Sequence, residues 1–137
     1  MIKFSVLIPN YGYSPYIFEC LDSVVAQQND GAFEYEIIMC DQSSLEVFDD
    51  IKQQVLQRYG DSKIHLIYSD IKGLLRARHT LIDKATGDYI VYIDSDDWVD
   101  INYLFQLSNC IIENDYPDLV ITDYKKDDEN ISSRRKR

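Results

Sequence analysis

The sequence predicts an α/β fold, a mostly parallel Rossmann-like sheet flanked by helices. Two observations carry the expectation. Short continuous apolar runs alternate with longer segments whose apolar residues recur at helical spacing. Runs that are apolar at successive positions, not at every second one, suit strands covered on both faces, as in a parallel sheet.

Phe4, Val6, Leu7 and Ile8 form the first run, stopped by Pro9. Ser14-Pro15 then supplies a helix cap and a first-turn proline, and Ile17, Cys20, Leu21, Val24 and Val25 extend a helix to about residue 28. Asn29-Asp30-Gly31 is a turn, and residues 35–40 make a second buried strand ending at Asp41. Val47, Phe48, Ile51, Val55 and Leu56 give an amphipathic helix over 45–59, closed by Gly60. Strands are expected over 64–68, 89–93 and 119–122, with helices over 74–85 and 102–113. Right-handed crossovers place the C-terminal ends of parallel strands on one edge, where ligands of such sheets bind. Pro9-Asn10-Tyr11, Asp41 and Asp94-Ser95-Asp96-Asp97 each follow a strand, so all three are expected in one crevice.

Residues 1–124 are expected to form one domain, and 125–137 a polar, solvated tail. Fourteen basic against 24 acidic residues give a net charge of -10. That balance argues against nucleic-acid binding, which needs a basic face to displace counterions. An anionic ligand therefore requires local positive charge or a metal. Cys20, Cys40 and Cys110 lie far apart in apolar stretches and suit core thiols of a reducing compartment. No signal-peptide core and no run of membrane-spanning length is visible, so a cytoplasmic location is expected. The basic end of the tail, Arg134 to Arg137, offers a second reading: peripheral contact with anionic lipid at the inner membrane face.

Three carboxylates within four residues at a strand terminus repel one another unless a positive group holds them. A hard divalent cation with oxygen ligands, completed by nucleotide phosphates, answers that need; a solvated turn is the plainer alternative. Asp41 stands alone after its strand, suited to accept hydrogen bonds from a base or ribose. Tyr11 and Tyr13 offer faces for stacking on a base, though tyrosine is also an ordinary loop residue. Arg76 and Arg78 can reach a diphosphate, or else form a solvated face paired with Asp70 or Asp83.

The motifs resemble those of family 2 glycosyltransferases with the GT-A fold, over residues 4–99. Phe4-Ser5-Val6-Leu7-Ile8-Pro9-Asn10-Tyr11 is similar to their opening strand and Pro-Thr-Tyr-Asn loop. Cys20-Leu21-Asp22-Ser23-Val24-Val25-Ala26-Gln27 resembles their first helix, and Glu36 to Asp41 their second strand. Gly73 to Arg78 resembles the Gly-x-x-x-Ala-Arg-Asn segment. Gly87 to Trp98 resembles the Gly-(Asp/Glu)-Tyr-Ile-x-(Phe/Tyr)-(Leu/Ile)-Asp-Ser-Asp-Asp signature. The resemblance implies a nucleotide-sugar donor, often a UDP-sugar, with Mn²⁺ or Mg²⁺ on the diphosphate and an inverting transfer to a carbohydrate or lipid-linked acceptor. It implies that Pro9 and Tyr11 border the base and that Asp41 holds uracil or ribose. Asp94 then faces the ribose, Ser95 belongs to the nucleotide-sugar site, Asp96 and Asp97 face the metal, and Arg78 lies near the phosphates.

Three departures stand out: Asp41-Gln42 replaces the usual Asp-Asp, Arg78-His79 the usual Arg-Asn, and Leu81 a frequent glycine. Nothing after Val99 matches the acceptor-binding half, so no catalytic base is assigned and the chain is expected to be the donor-binding half of a longer enzyme. Two rivals remain. One is a nucleotide-binding or structural module that works with a separate acceptor-binding chain. The other is a haloacid-type phosphatase, whose Asp-x-Asp-x-Thr/Val ends the first strand of the core, whereas here the motif follows the fourth strand with Trp98 at its fifth position.

Overall fold

The computed structural model describes residues 1–122; the tail expected over 125–137 lies outside the described residues. Eight elements run in strict alternation: β1 (Ile2–Asn10), α1 (Ile17–Val25), β2 (Phe33–Asp41), α2 (Leu45–Tyr59), β3 (His65–Tyr68), α3 (Leu74–Lys84), β4 (Tyr89–Tyr92) and α4 (Tyr103–Glu113). The four strands form one sheet in the order β3-β2-β1-β4, and every pairing is parallel. The α/β expectation is met, with strand boundaries shifted by one to a few residues.

Side-chain alternation divides the core between the two sheet faces. Phe4, Val6 and Ile8 of β1 point to a large core shared with Cys20, Leu21 and Val24 of α1, Ile51 and Val55 of α2, and Leu104, Leu107 and Ile111 of α4. Leu7 of β1, with Ile38 and Cys40 of β2, points the other way, against Ala77 and Leu81 of α3. Leu81 adds a wholly buried side chain to this smaller layer.

Local chemistry accounts for the helix starts. Ser44 caps α2 by accepting the Val47 N–H at 3.3 Å, and Gly60 ends that helix at φ 83°, which glycine tolerates best. At α1 the expected cap is displaced. Ser14 Oγ accepts from the Tyr16 N–H at 3.1 Å and the Ser14 carbonyl from Ile17 N–H at 3.3 Å, so Ser14-Pro15 forms a tight turn and the α-helix starts at Ile17.

The fifth strand expected over 119–122 is absent. Its apolar residues mislead, because Leu119 and Ile121 are 73% and 86% exposed. A strand exists only as part of a ladder, and the segment does not reach one. It is tied to β4 through the Tyr89 hydroxyl, which donates to the Pro117 carbonyl at 2.8 Å, and a cavity of about 630 Å³ opens between them.

One cluster fixes the entry to β4. Glu36 accepts from Ser5 Oγ (2.6 Å), from the Thr86 N–H (2.7 Å) and from Thr86 Oγ1 (3.0 Å), with Lys3 Nζ at 3.7 Å. Burial pushes the Glu36 carboxyl up, but these donors and the Lys3 charge outweigh it and hold the group below its usual value. Gly87 lies so close to β1 that a Cβ there would stand 2.7 Å from Ser5 N and 2.8 Å from the Lys3 carbonyl oxygen. Its N–H donates to Ser5 Oγ at 2.8 Å. Only glycine allows this approach.

Candidate functional site

Strand order reverses beside β1: β2 and β3 extend to one side and β4 lies on the other. Crevices in parallel sheets open at that place, outside the carboxyl ends of the strands. The carboxyl ends of β1 and β4 carry Asn10-Tyr11 and Asp94-Ser95-Asp96-Asp97 respectively.

The Ile93 N–H still donates to the Leu7 carbonyl at 3.1 Å, so the chain leaves the sheet only at Asp94. The Asp97 N–H then donates to the Asp94 carbonyl at 3.0 Å, closing a turn. That turn draws carboxylate oxygens of Asp94, Asp96 and Asp97 within 4.8 Å of one another. Helix α1 holds the acidic segment from below. Cys20 Sγ donates to the Asp94 carbonyl at 3.5 Å, and Ser23 Oγ accepts from the Val99 N–H at 3.2 Å. Gln27 donates to the Asp100 carbonyl at 2.6 Å and accepts from the Leu104 N–H at 2.8 Å. The Cys-Leu-x-Ser-x-x-x-Gln pattern of α1 is therefore a support for the acidic turn. Burial pushes the Cys20 thiol up to about 12, with the charges of Asp97, Asp96 and Asp94 adding to the shift.

The opposite rim rests on a buried aspartate. Asp41 is fully buried, and its Oδ1 accepts from Asn10 Nδ2 at 2.9 Å and Ser43 Oγ at 2.7 Å. Ser43 Oγ in turn accepts from the Gly12 N–H at 2.6 Å, and Asn10 Nδ2 also donates to the Gly12 carbonyl at 3.0 Å. The loop carrying Tyr11 is thereby fixed to the ends of β1 and β2. Asp41 Oδ2 and Asn10 Oδ1 are buried without a hydrogen-bond partner among the described residues, so two acceptors remain beneath this loop.

An open cavity of about 660 Å³ joins the two rims, lined by Pro9, Asn10, Tyr11, Gln42, Lys72 and the Asp94-Ser95-Asp96 turn, with Ser14, Gly73 and Leu74 completing the wall. Of the residues singled out in the sequence, Pro9, Tyr11, Asp94, Ser95 and Asp96 face this space together. Asp97 stands beside them in the carboxylate cluster. Asp41 lies under the cavity, outside its lining, because the carboxylate is taken up in bracing the Tyr11 loop. Arg78 is also outside the lining; its guanidinium lies 5.0 Å above the ring of Tyr92. Tyr13 is turned toward α2, its hydroxyl donating to Asp50. Gln42 and Lys72 were not singled out as contacts, since nothing in the local pattern shows that the loop after β3 folds over the end of β2.

The carboxylate cluster fits a hard cation. All its donors are oxygens, and two ligands of one divalent ion stand at most about 4–5 Å apart, twice a metal–oxygen bond. The spread of 4.8 Å is compatible with that limit after small side-chain rotations.

A family model described as glycosyl transferase family 2 matches residues 5–137. The chain belongs to this family. Glycosyltransferase GlyA of Streptococcus pneumoniae serotype 4 is 30% identical over 111 residues, covering 81% of this chain and 15% of GlyA. Poly(ribitol-phosphate) beta-N-acetylglucosaminyltransferase TarS of Staphylococcus aureus strain Mu50 is 29% identical over 102 residues, 72% of this chain and 17% of TarS. The crystal structure of S. aureus TarS superposes with a TM-score of 0.68 and 23% identity over 83% of this chain and 20% of that one. GalNAc-T7, solved with UDP, GalNAc and Mn²⁺, gives a TM-score of 0.66 at 21% identity, covering 80% of this chain and 21% of its own. At such identities the superpositions establish a shared GT-A-type fold. The chain spans about a fifth or less of the length of these relatives.

Proposed function

We propose that this chain is the donor-binding part of a divalent-metal-dependent glycosyltransferase that takes a UDP-sugar and passes the sugar, with inversion, to a carbohydrate or lipid-linked acceptor hydroxyl. The observation that carries the reading is the convergence of Pro9, Tyr11, Asp94, Ser95 and Asp96 on one cavity at the sheet's switch point. TarS has been solved in complex with UDP and with UDP-GlcNAc, and GalNAc-T7 with UDP and Mn²⁺, which supports the donor and metal classes.

In this reading Pro9 and the exposed ring of Tyr11 border the base, while Asp94 and Ser95 face the ribose. Asp41 acts through Asn10 and Ser43 as a positioning residue for the base-binding loop. Asp96 and Asp97 hold Mn²⁺ or Mg²⁺, which when bound neutralises the departing diphosphate. In the transfer, the acceptor oxygen forms a bond to the anomeric carbon as the bond to the diphosphate oxygen breaks. The electron pair leaves with UDP, and the hydroxyl proton passes to a base unassigned in this chain. The stacked guanidinium of Arg78 would need to leave Tyr92 to reach the phosphates. No helix among the described residues is long and apolar enough to cross a membrane. The proposed setting is cytoplasmic, with peripheral contact at the inner membrane face.

A second reading is a nucleotide-binding or structural module that works with a separate acceptor-binding chain. Thermal-shift titrations with UDP, UDP-GlcNAc, GDP and GDP-mannose, with Mn²⁺ or chelator, test donor binding, because a ligand of the native state raises apparent stability. Stabilisation by uridine nucleotides that disappears with chelator and in Asp96→Ala is expected. Equal stabilisation without metal removes the cation role, and none with any nucleotide removes the donor role. Release of free sugar from a bound donor distinguishes an enzyme from the module.

A further inference from the structure

We propose that Lys72 is the cation of this site that reads the donor's diphosphate, and that Gln42 is the positioning residue that aims it; the inference rests on the donor-binding reading above. Lys72 is the one basic residue among those lining the cavity. Its ammonium donates to the Tyr11 hydroxyl at 3.2 Å and lies 4.9 Å from the centroid of the Tyr11 ring. Among the described residues it has no carboxylate partner within ion-pair distance. A cation held only by an exposed hydroxyl and a ring face exchanges those contacts readily for a phosphate oxygen, since a hydrogen bond between two charged groups is stronger. The same movement uncovers Tyr11. Phosphate capture by Lys72 and stacking of the base on Tyr11 are thus coupled events, the ammonium leaving the ring as the nucleotide arrives.

The loop carrying Lys72 is fixed on both sides. Gln42 Nε2 donates to the Ile71 carbonyl at 2.8 Å and to the Gly73 carbonyl at 2.9 Å, bracketing Lys72. The Ser69 N–H donates to the Asp41 carbonyl at 2.9 Å, and Gly73 adopts φ 120°, which side-chain-bearing residues avoid. A carboxylate at position 42 has no proton to donate and would repel both carbonyls. The departure at Gln42 and the cation at Lys72 therefore belong to one device. It also gives a strongly acidic chain a local positive charge opposite its own aspartates, where the anionic donor must enter.

The test is calorimetric titration of the full chain, in Mn²⁺, with uridine, UMP and UDP. Lys72→Ala is expected to weaken UDP by about tenfold to a hundredfold, the range of one charge-assisted contact, with uridine unchanged or bound more tightly through the freed ring. Lys72→Arg should restore most of the UDP affinity. Gln42→Met should weaken UDP in the parent but add no further loss in the Lys72→Ala background, a coupling that general destabilisation would not produce. Equal losses for uridine and UDP in Lys72→Ala overturn the assignment to the diphosphate. Unchanged UDP affinity in Lys72→Ala overturns the inference while leaving the donor reading intact. Failure of the parent chain to bind UDP removes both.

Discussion

Gly87→Ala isolates the contact on which the approach to the acidic turn depends. The added Cβ would meet Ser5 N and Ser5 Oγ at 2.7 Å and the Lys3 carbonyl oxygen at 2.8 Å. Two of these three are backbone atoms of a central strand and cannot rotate away. Relief to an ordinary contact of about 3.5 Å needs a shift of roughly 0.7 Å between β1 and the entry to β4, and overpacking of this kind costs about 1–3 kcal/mol. Weakening the bond from Gly87 N–H to Ser5 Oγ adds about 1 kcal/mol. For a chain of this size each kcal/mol lowers Tm by about 3–5 °C, so a fall of roughly 6–20 °C is expected. Calorimetry measures it, and titration with UDP and Mn²⁺ on the folded variant should show weaker binding, because β4 delivers Asp94, Asp96 and Asp97. Gly31→Ala is the control, since a Cβ there meets nothing within 4 Å and only its φ of 86° is strained, a cost of about 1 kcal/mol. Ser5→Gly should not rescue Gly87→Ala, because the backbone contacts persist. A Gly87→Ala chain as stable as the parent would refute the proposed close approach.

Replacing Glu36 by Gln should reduce stability at neutral pH and flatten its acid dependence. The folded carboxyl sits below its usual value, so its contribution is complete above the unfolded value near 4.5 and is lost as pH falls through the folded one. Urea titrations at pH 7 and pH 3 measure the difference, and equal losses at both would count against the linkage. Gln27→Met leaves the Leu104 N–H without its side-chain acceptor and removes one of the donors to the Asp100 carbonyl, which keeps the Tyr103 N–H at 3.0 Å. A loss of about 1–3 kcal/mol is expected, with faster hydrogen exchange at Leu104; unchanged exchange would argue against that support. Cys20, pushed up to about 12, should resist iodoacetamide at pH 8 while the less buried Cys110 reacts, and peptide mass mapping reads the order of labelling. Prior labelling of Cys20 in the native chain would overturn its buried placement.

The alternation of strands and helices, the parallel sheet and the grouping of Tyr11 with Asp94 and Asp96 followed from the sequence, because continuous apolar runs and crossover handedness leave few topologies. Asp94, Asp96 and Asp97 are close in sequence as well as in space, so their cluster needed no tertiary knowledge. Asp41 shows the limit. Its place after a strand predicted the right edge of the sheet, yet whether a carboxylate there faces a ligand or braces a loop depends on Asn10 and Ser43 across the chain. The segment over 119–122 has the composition of a strand, but a ladder requires a neighbour that local sequence does not provide. Arg78 was legible as a cation near the site, while its turn toward Tyr92 was decided by α3 packing on the second face of the sheet. Lys72 became visible only when Gln42 met the carbonyls on either side of it. Periodicity and strand-end chemistry determine which edge of the sheet gathers the polar groups. Which of those groups face the cavity is settled by hydrogen bonds between residues distant in the chain, whose partners no local pattern specifies.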